Sequence, residues 1–231
     1  MASILECIFD LIAPRTCYIC GRRLHTSEHV ICTSCNIHLP RTYYWQDPYE
    51  NEMAKLFWAK IPIERAAALF YYQGHAPASQ IIYNLKYDNH PTIGYHMGIM
   101  TALEFSKNHF FDDIDCIIPV PLSWSRKLKR GYNQSNEIAK GIQEVTGIRV
   151  EEHIVKRTKF KSSQTHKGRW GREENVRGLF KLTHPEKVRG KHILLIDDIC
   201  TTGATMVSCG KEIAKAGNVK ISILTLGYSK G

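Results

Sequence analysis

No run of apolar residues in this 231-residue chain approaches the roughly 18–20 needed to cross a bilayer as a helix. The first 14 residues are apolar in patches, but they hold Glu6 and Asp10 and lack a basic cluster. A secretory signal is therefore not expected, and the chain reads as cytoplasmic. Internal repeats and low-complexity tracts are missing too. So are G-x-x-x-x-G-K-[ST] and G-x-G-x-x-G, which removes support for a P-loop ATPase and for a dinucleotide fold.

What is present suits a globular protein: 43% hydrophobic residues against 23% charged, over a length that allows one large domain or a domain with a small appendage. The charge is uneven. Between Trp124 and Lys191 there are 18 Lys/Arg against seven Asp/Glu, which leaves the rest slightly acidic. A surplus confined to one segment predicts a surface that attracts phosphate-rich partners, the plainer reading being a solvated face that aids solubility.

Four of the eight cysteines form two pairs, Cys17-Tyr-Ile-Cys20 and Cys32-Thr-Ser-Cys35, with 11 residues between them. In a reducing compartment such pairs are metal ligands before they are cystines. Four thiolates in two knuckles suit tetrahedral Zn²⁺, and Gly21 fits a tight turn after Cys20. His25, His29 and His38 lie nearby, but four cysteines complete the shell. A redox pair needs only one C-x-x-C and leaves the second unexplained. So small a module has little core of its own and should need the metal to fold.

Residues 3–12 fit a short helix capped by Ser3 and ended by Pro14, and the mixed, aromatic stretch 41–62 reads as a linker leading into a helix. The boundary is placed there, giving 1–45 as helix and four-cysteine zinc module and 46–231 as the main domain. Strands are expected over 66–72, 116–120, 149–155, 192–196 and 221–226. Helices are expected over 76–87, 133–146 (cap Asn133, stop Gly147) and 203–217. The basic stretch 156–177 has no apolar period and reads as a long mobile loop. Strands alternating with helices give an α/β fold on a parallel sheet.

The segment His192-Ile-Leu-Leu-Ile-Asp-Asp-Ile-Cys-Thr-Thr-Gly-Ala-Thr205 carries the most chemistry. An apolar strand delivers Asp197 and Asp198 to its carboxyl end, where ligands of parallel sheets bind. Thr201, Thr202, Gly203, Ala204 and Thr205 then open a helix, whose free N–H groups favour an anion. Gly203 and Ala204 admit close approach, and the three hydroxyls add donors. Two carboxylates are poor neighbours for a phosphate but strong acceptors for hydroxyls, so one ligand carrying a phosphate and a vicinal diol, a phosphorylated ribose, satisfies both. A Mg²⁺ ligand pair and a Thr-capped helix start are the other readings of these residues.

This segment resembles the 13-residue signature for 5-phosphoribosyl-1-pyrophosphate (PRPP) of type I phosphoribosyltransferases. One branch, the ComF (competence protein F) family, is matched more widely: by both cysteine pairs, Leu85-Lys-Tyr87, Ile118-Pro-Val-Pro-Leu122, Arg130-Gly-Tyr-Asn-Gln134, Thr158, Gln164, Asn175 and Gly178-Leu-Phe180. The resemblance implies a type I phosphoribosyltransferase fold preceded by a small four-cysteine zinc-finger domain. It implies that Asp197 and Asp198 hold ribose hydroxyls and that the stretch Ile199, Cys200 and Thr201 to Thr205 completes the PRPP site around the 5-phosphate. Cys200, at a variable position, has no role of its own. Residues 121–130, with Pro121, Leu122, Arg126, Lys129 and Arg130, would form the pyrophosphate loop, 156–177 a closing loop, and Mg²⁺ would ride on the pyrophosphate. Type I enzymes choose a nitrogen acceptor with a separate hood. Only five residues follow the last expected strand, so a hood must come from 40–110, where no base-binding set is recognisable.

The family is associated with natural transformation, which makes single-stranded DNA the expected partner, alongside cytoplasmic transformation proteins such as a helicase. Arg22, Arg23, Lys159, Lys161, Lys167, Arg169 and Arg172 are candidate contacts, and Tyr43, Tyr44 and Trp45 candidate stacking groups, the plainer reading of each aromatic being a core or interface residue. Three functions follow: a PRPP-binding, zinc-containing competence protein handling single-stranded DNA, which is favoured; a phosphoribosyltransferase with an unidentified nitrogen acceptor; and a non-catalytic scaffold for transformation partners.

Overall fold

The computed structural model describes residues 14–87, 89–158 and 178–230. The helix expected over 3–12 lies outside them. Short helices α1 (Thr33–Ile37) and α2 (Glu52–Lys55) precede β1 (Ile63–Tyr71), α3 (Ser79–Tyr87) and α4 (Pro91–Phe105). Next come β2 (Cys116–Pro119), α5 (Trp124–Arg130), α6 (Gln134–Thr146), β3 (Val155–Arg157) and β4 (Phe180–Leu182). β5 (His192–Cys200), α7 (Ala204–Ala214) and β6 (Lys220–Tyr228) complete the chain.

Four strands form one sheet in the order β1-β6-β5-β2, and every neighbouring pair is parallel. Both faces of such a sheet are covered, so its strands are apolar runs and not alternating ones. In β5, Leu194 and Ile196 point to one core cluster with α3, α4 and α6, while Ile193 and Leu195 point to a second with α7. Asn133 caps α6 by accepting from the Ser135 N–H at 3.3 Å, and Gly147 ends it at φ +72°.

Four departures from the sequence reading have physical causes. Helix α4 has no counterpart there: its Ile93, Met97, Ala102 and Phe105 are fully buried between neighbours, so no polar face marks its period. The strand expected over 149–155 is instead one parallel bridge from Val150 to Ile117, followed by β3, which pairs antiparallel with β4. The expected pyrophosphate loop contains α5. β5 and β6 continue past their expected ends to Cys200 and Tyr228, because the ladder carries on beyond the apolar run: Asp197 pairs with Thr225 and Cys200 with Tyr228.

The cysteine segment is bound to the edge of β1. Thr42 N–H donates to Leu69 O at 3.2 Å, and Tyr71 N–H to Pro40 O at 2.8 Å, so the otherwise open edge is covered. Arg41 reaches Glu104 of α4 at 2.6 Å, and the Trp45 ring stacks on Phe105 at 4.5 Å. Leu24, Val30, Ile31 and Leu39 belong to the same core cluster as β1, α3 and α4. The expected division at 45/46 falls within this seam. Among the described residues, no helix is long and apolar enough to cross a membrane.

Candidate functional site

The ladder of β5 against β6 and β2 fixes the position of the acidic pair at the strand's carboxyl end. Ser135, in the first turn of α6, donates its hydroxyl to Asp197 Oδ1 at 3.0 Å, and the Asp198 N–H donates to the same oxygen at 2.9 Å. Asp198 pairs with Lys86 of α3 at 3.1 Å. Burial, and then the Asp198 carboxylate, push the Asp197 carboxyl up to about 7, against the pull of those hydrogen bonds and of Lys86.

Beyond Cys200 the chain turns through Thr201 and Thr202, both exposed, into the opening of α7. Gly203 stands at φ +73°, and a Cβ there would meet the Phe57 ring at 2.9 Å, so the turn demands glycine for both backbone and room. As N-cap, Gly203 supplies no side-chain acceptor to the first turn of α7. Ala204 is exposed and Thr205 half-buried beside it. That combination leaves N–H groups for an anion. Cys200 is buried, which pushes its thiol up to about 12 and keeps it neutral; Ile199 is half-buried next to it.

Pro121 and Leu122 leave β2 half-buried, and α5 then exposes Arg126 and Lys129. Arg130 turns inward, hydrogen-bonding Gln134 Oε1 at 3.0 Å and lying over the Tyr87 ring at 5.5 Å. Gln134 Nε2 and Asn136 Oδ1 are buried without a hydrogen-bond partner among the described residues, a donor and an acceptor on either side of Ser135. Arg157 of β3 is drawn into the same field. Burial, and then Arg126, lower its pKa, while Asp197 opposes them. Lys86, Ser135 and Arg157 are not singled out as site residues by the sequence. Leu85-Lys-Tyr87 carries only a resemblance, and neither Ser135 nor Arg157 has a local signature.

Four Sγ atoms, of Cys17, Cys20, Cys32 and Cys35, lie within 4.8 Å of one another, with Cys20 and Cys32 3.8 Å apart. Thiolates at about 2.3 Å from a shared tetrahedral Zn²⁺ stand about 3.8 Å apart, so this cluster is able to hold a metal such as zinc. Cys32 N–H points to Cys17 Sγ and Cys35 N–H to Cys32 Sγ, both at 3.4 Å. Burial opposes ionisation of the Cys32 thiol, yet hydrogen bonds from Cys35, Cys20 and Cys17 bring it down to about 6. Glu28 ties the knuckles together, accepting from the N–H groups of His25 and Thr33, which hold its carboxyl down at about 2.

Of the expected nucleic-acid contacts, Arg22 and Arg23 are exposed beside the cysteine cluster. Lys159, Lys161, Lys167, Arg169 and Arg172 lie outside the described residues, as does most of the basic stretch 156–177. The part of it that is described, Lys156 to Thr158, is strand β3 and its end, where Thr158 N–H donates to Leu179 O at 2.8 Å. Trp45, a candidate stacking group whose plainer reading is a core position, is a core residue only 3% exposed, its ring taken by Phe105.

A parallel sheet with an acidic strand tip and a glycine-opened helix start defines a phosphoribosyltransferase-type protein. The chain belongs to the phosphoribosyl transferase domain family, whose pattern matches residues 113–229. Across nine tenths of its length it is similar to proteins with narrower names. DNA utilization protein YhgH of Escherichia coli is 25% identical over 91% of this chain and 88% of its own. Competence protein F of Haemophilus influenzae is 25% identical over 90% of this chain and 94% of its own. Competence protein ComFC of Bacillus subtilis is 26% identical over 90% of this chain and 76% of its own. The resemblance to the ComF family is thus met well outside the signature segment.

Proposed function

We propose that this chain binds PRPP at the tip of β5, carries structural zinc on Cys17, Cys20, Cys32 and Cys35, and handles single-stranded DNA in the cytoplasm during natural transformation. The observation that carries the reading is the junction of Asp197 and Asp198 with the opening of α7. The carboxylates accept the ribose hydroxyls while Thr201 to Thr205 wrap the 5-phosphate. Pro121, Leu122, Arg126, Lys129 and Arg130 meet the pyrophosphate, with Mg²⁺ held by the ligand's own oxygens and water. The basic surplus and the names of the similar proteins support DNA as the macromolecular partner.

Calorimetric titration with PRPP and Mg²⁺, with and without a single-stranded oligonucleotide, tests this. Saturable PRPP binding, lost in an Asp197→Asn, Asp198→Asn double variant, and oligonucleotide binding that weakens steeply with salt are expected. A folded chain that takes up no PRPP would overturn the reading. Membership of the phosphoribosyl transferase domain family favours a second reading, transfer of phosphoribose to a nitrogen acceptor. Pyrophosphate release in the presence of candidate acceptors distinguishes it.

A further inference from the structure

Helix α3 divides its residues between two environments. Ile81, Ile82 and Leu85 are fully buried in the core, whereas Tyr83 and Tyr87 are 54% and 56% exposed. The two tyrosines are one turn apart, with ring centroids 5.1 Å apart at 42°. Lys86 shares their helical face, three residues on from Tyr83, and reaches Asp198 at 3.1 Å. Arg130 lies over the Tyr87 ring at 5.5 Å. Tyr87 therefore lies beside α5 with Tyr83 against it, on the helix that sends Lys86 to the acidic strand tip. Core packing does not require them there.

On the α5 side of the rings the charge is of one sign. Arg126, Lys127, Lys129 and Arg130 occupy α5, and residues 116–136 contain no Asp or Glu. A single exposed aromatic is ordinary. A touching pair, bracketed by a site lysine and a guanidinium, matches the chemistry of a single strand, in which bases stack on rings and phosphates follow cations.

We propose that Tyr83 and Tyr87 form a stacking shelf for nucleobases of single-stranded DNA, with exposed Lys127 of α5, which the pyrophosphate site does not use, meeting an adjoining phosphate. This rests on the DNA-handling function proposed above and gives it a location beside the phosphoribose pocket.

Fluorescence anisotropy of the full chain tests the shelf, using a labelled thymidine oligonucleotide and an abasic oligomer of equal length at several salt concentrations. Tyr83→Ala/Tyr87→Ala should weaken the thymidine oligomer about tenfold or more. It should leave the abasic oligomer unchanged and keep the slope of log K against log salt, because the phosphate contacts remain. Tyr83→Phe/Tyr87→Phe, which retains the rings, should bind within about threefold of the parent. An equal loss on the abasic oligomer, or on a polyglutamate peptide, would overturn the nucleobase assignment. If the parent binds the oligonucleotide and the alanine variant binds it as well, the shelf alone falls. If the parent takes up none, the DNA-handling function falls and the shelf with it.

Discussion

Lys86 Nζ stands 3.1 Å from Asp198 Oδ1, so a cation from α3 enters the pocket that β5 closes with two acids. The pair is only partly shielded, with side chains 21% and 11% exposed, and its own contribution to stability is modest. Burial and the Asp198 carboxylate raise the Asp197 pKa, and Lys86 is among the groups that oppose that rise. Lys86→Met should therefore bind PRPP about tenfold more weakly at pH 7 and recover part of the loss at pH 8.5, where Asp197 ionises regardless. Calorimetry at the two pH values checks this, and an equal loss at both would show that Lys86 acts on the ligand directly.

The Asp197 carboxyl, at about 7 in the folded chain, lies near 4 when exposed. Between those values the folded chain keeps a proton that the unfolded chain has released. Stability from this group therefore falls as pH rises through the window and levels off above about 7. Asp197→Asn removes the titration. The variant should melt with the parent near pH 4 and be more stable near pH 8 by roughly 1–3 kcal/mol. In the parent, PRPP affinity should rise about tenfold from pH 6 to pH 8 as the acceptor ionises, and the variant should show no such rise. Thermal melts and calorimetry across this range decide it.

The strand tip and the cysteine cluster are legible in the sequence because their chemistry is local: adjacent residues, or two pairs at fixed spacing, supply whole ligand sets. What cannot be read there comes from elements distant along the chain. Ser135 and Asp197 are 62 positions apart, and only the packing of α6 beside β5 joins them. Lys86 is a site residue through α3, whose apolar face is visible in the sequence but whose polar face has no stated destination. Helix α4 is invisible for the opposite reason. Enclosed by α3, α6 and the cysteine segment, it shows no polar side from which to read a period.

Backbone contact between α4 and α6 gives the next prediction. A Cβ on Gly141 would collide with Tyr95 O and sit 2.9 Å from Ile99 N, and one on Gly98 would collide with Ile138 O. Neither neighbour is a flexible side chain that can swing away. Gly141→Ala should destabilise the chain by roughly 1–3 kcal/mol despite alanine's higher helix propensity. Denaturant unfolding measures this. A stability equal to or above the parent's would mean that the helices separate at little cost.

Metal removal should reach beyond residues 15–38. The segment's own apolar residues, Leu24, Val30 and Ile31, share one buried cluster with β1, α3 and α4. Four sulfurs within 4.8 Å cannot ionise together without a cation. Chelation should therefore let the four sulfurs separate, unfold 15–38 and loosen the strand-edge seam at Pro40 and Thr42. With that seam open, the β1 edge and the Trp45–Phe105 stack lose their cover, so the rest of the chain should melt about 5–10 °C lower. Zinc added back should restore both, and Cys17→Ser should mimic chelation. Proton-shift dispersion retained across 15–38 after chelation, with an unchanged melting temperature, would show that the knuckles fold without metal and that the cluster has no structural role.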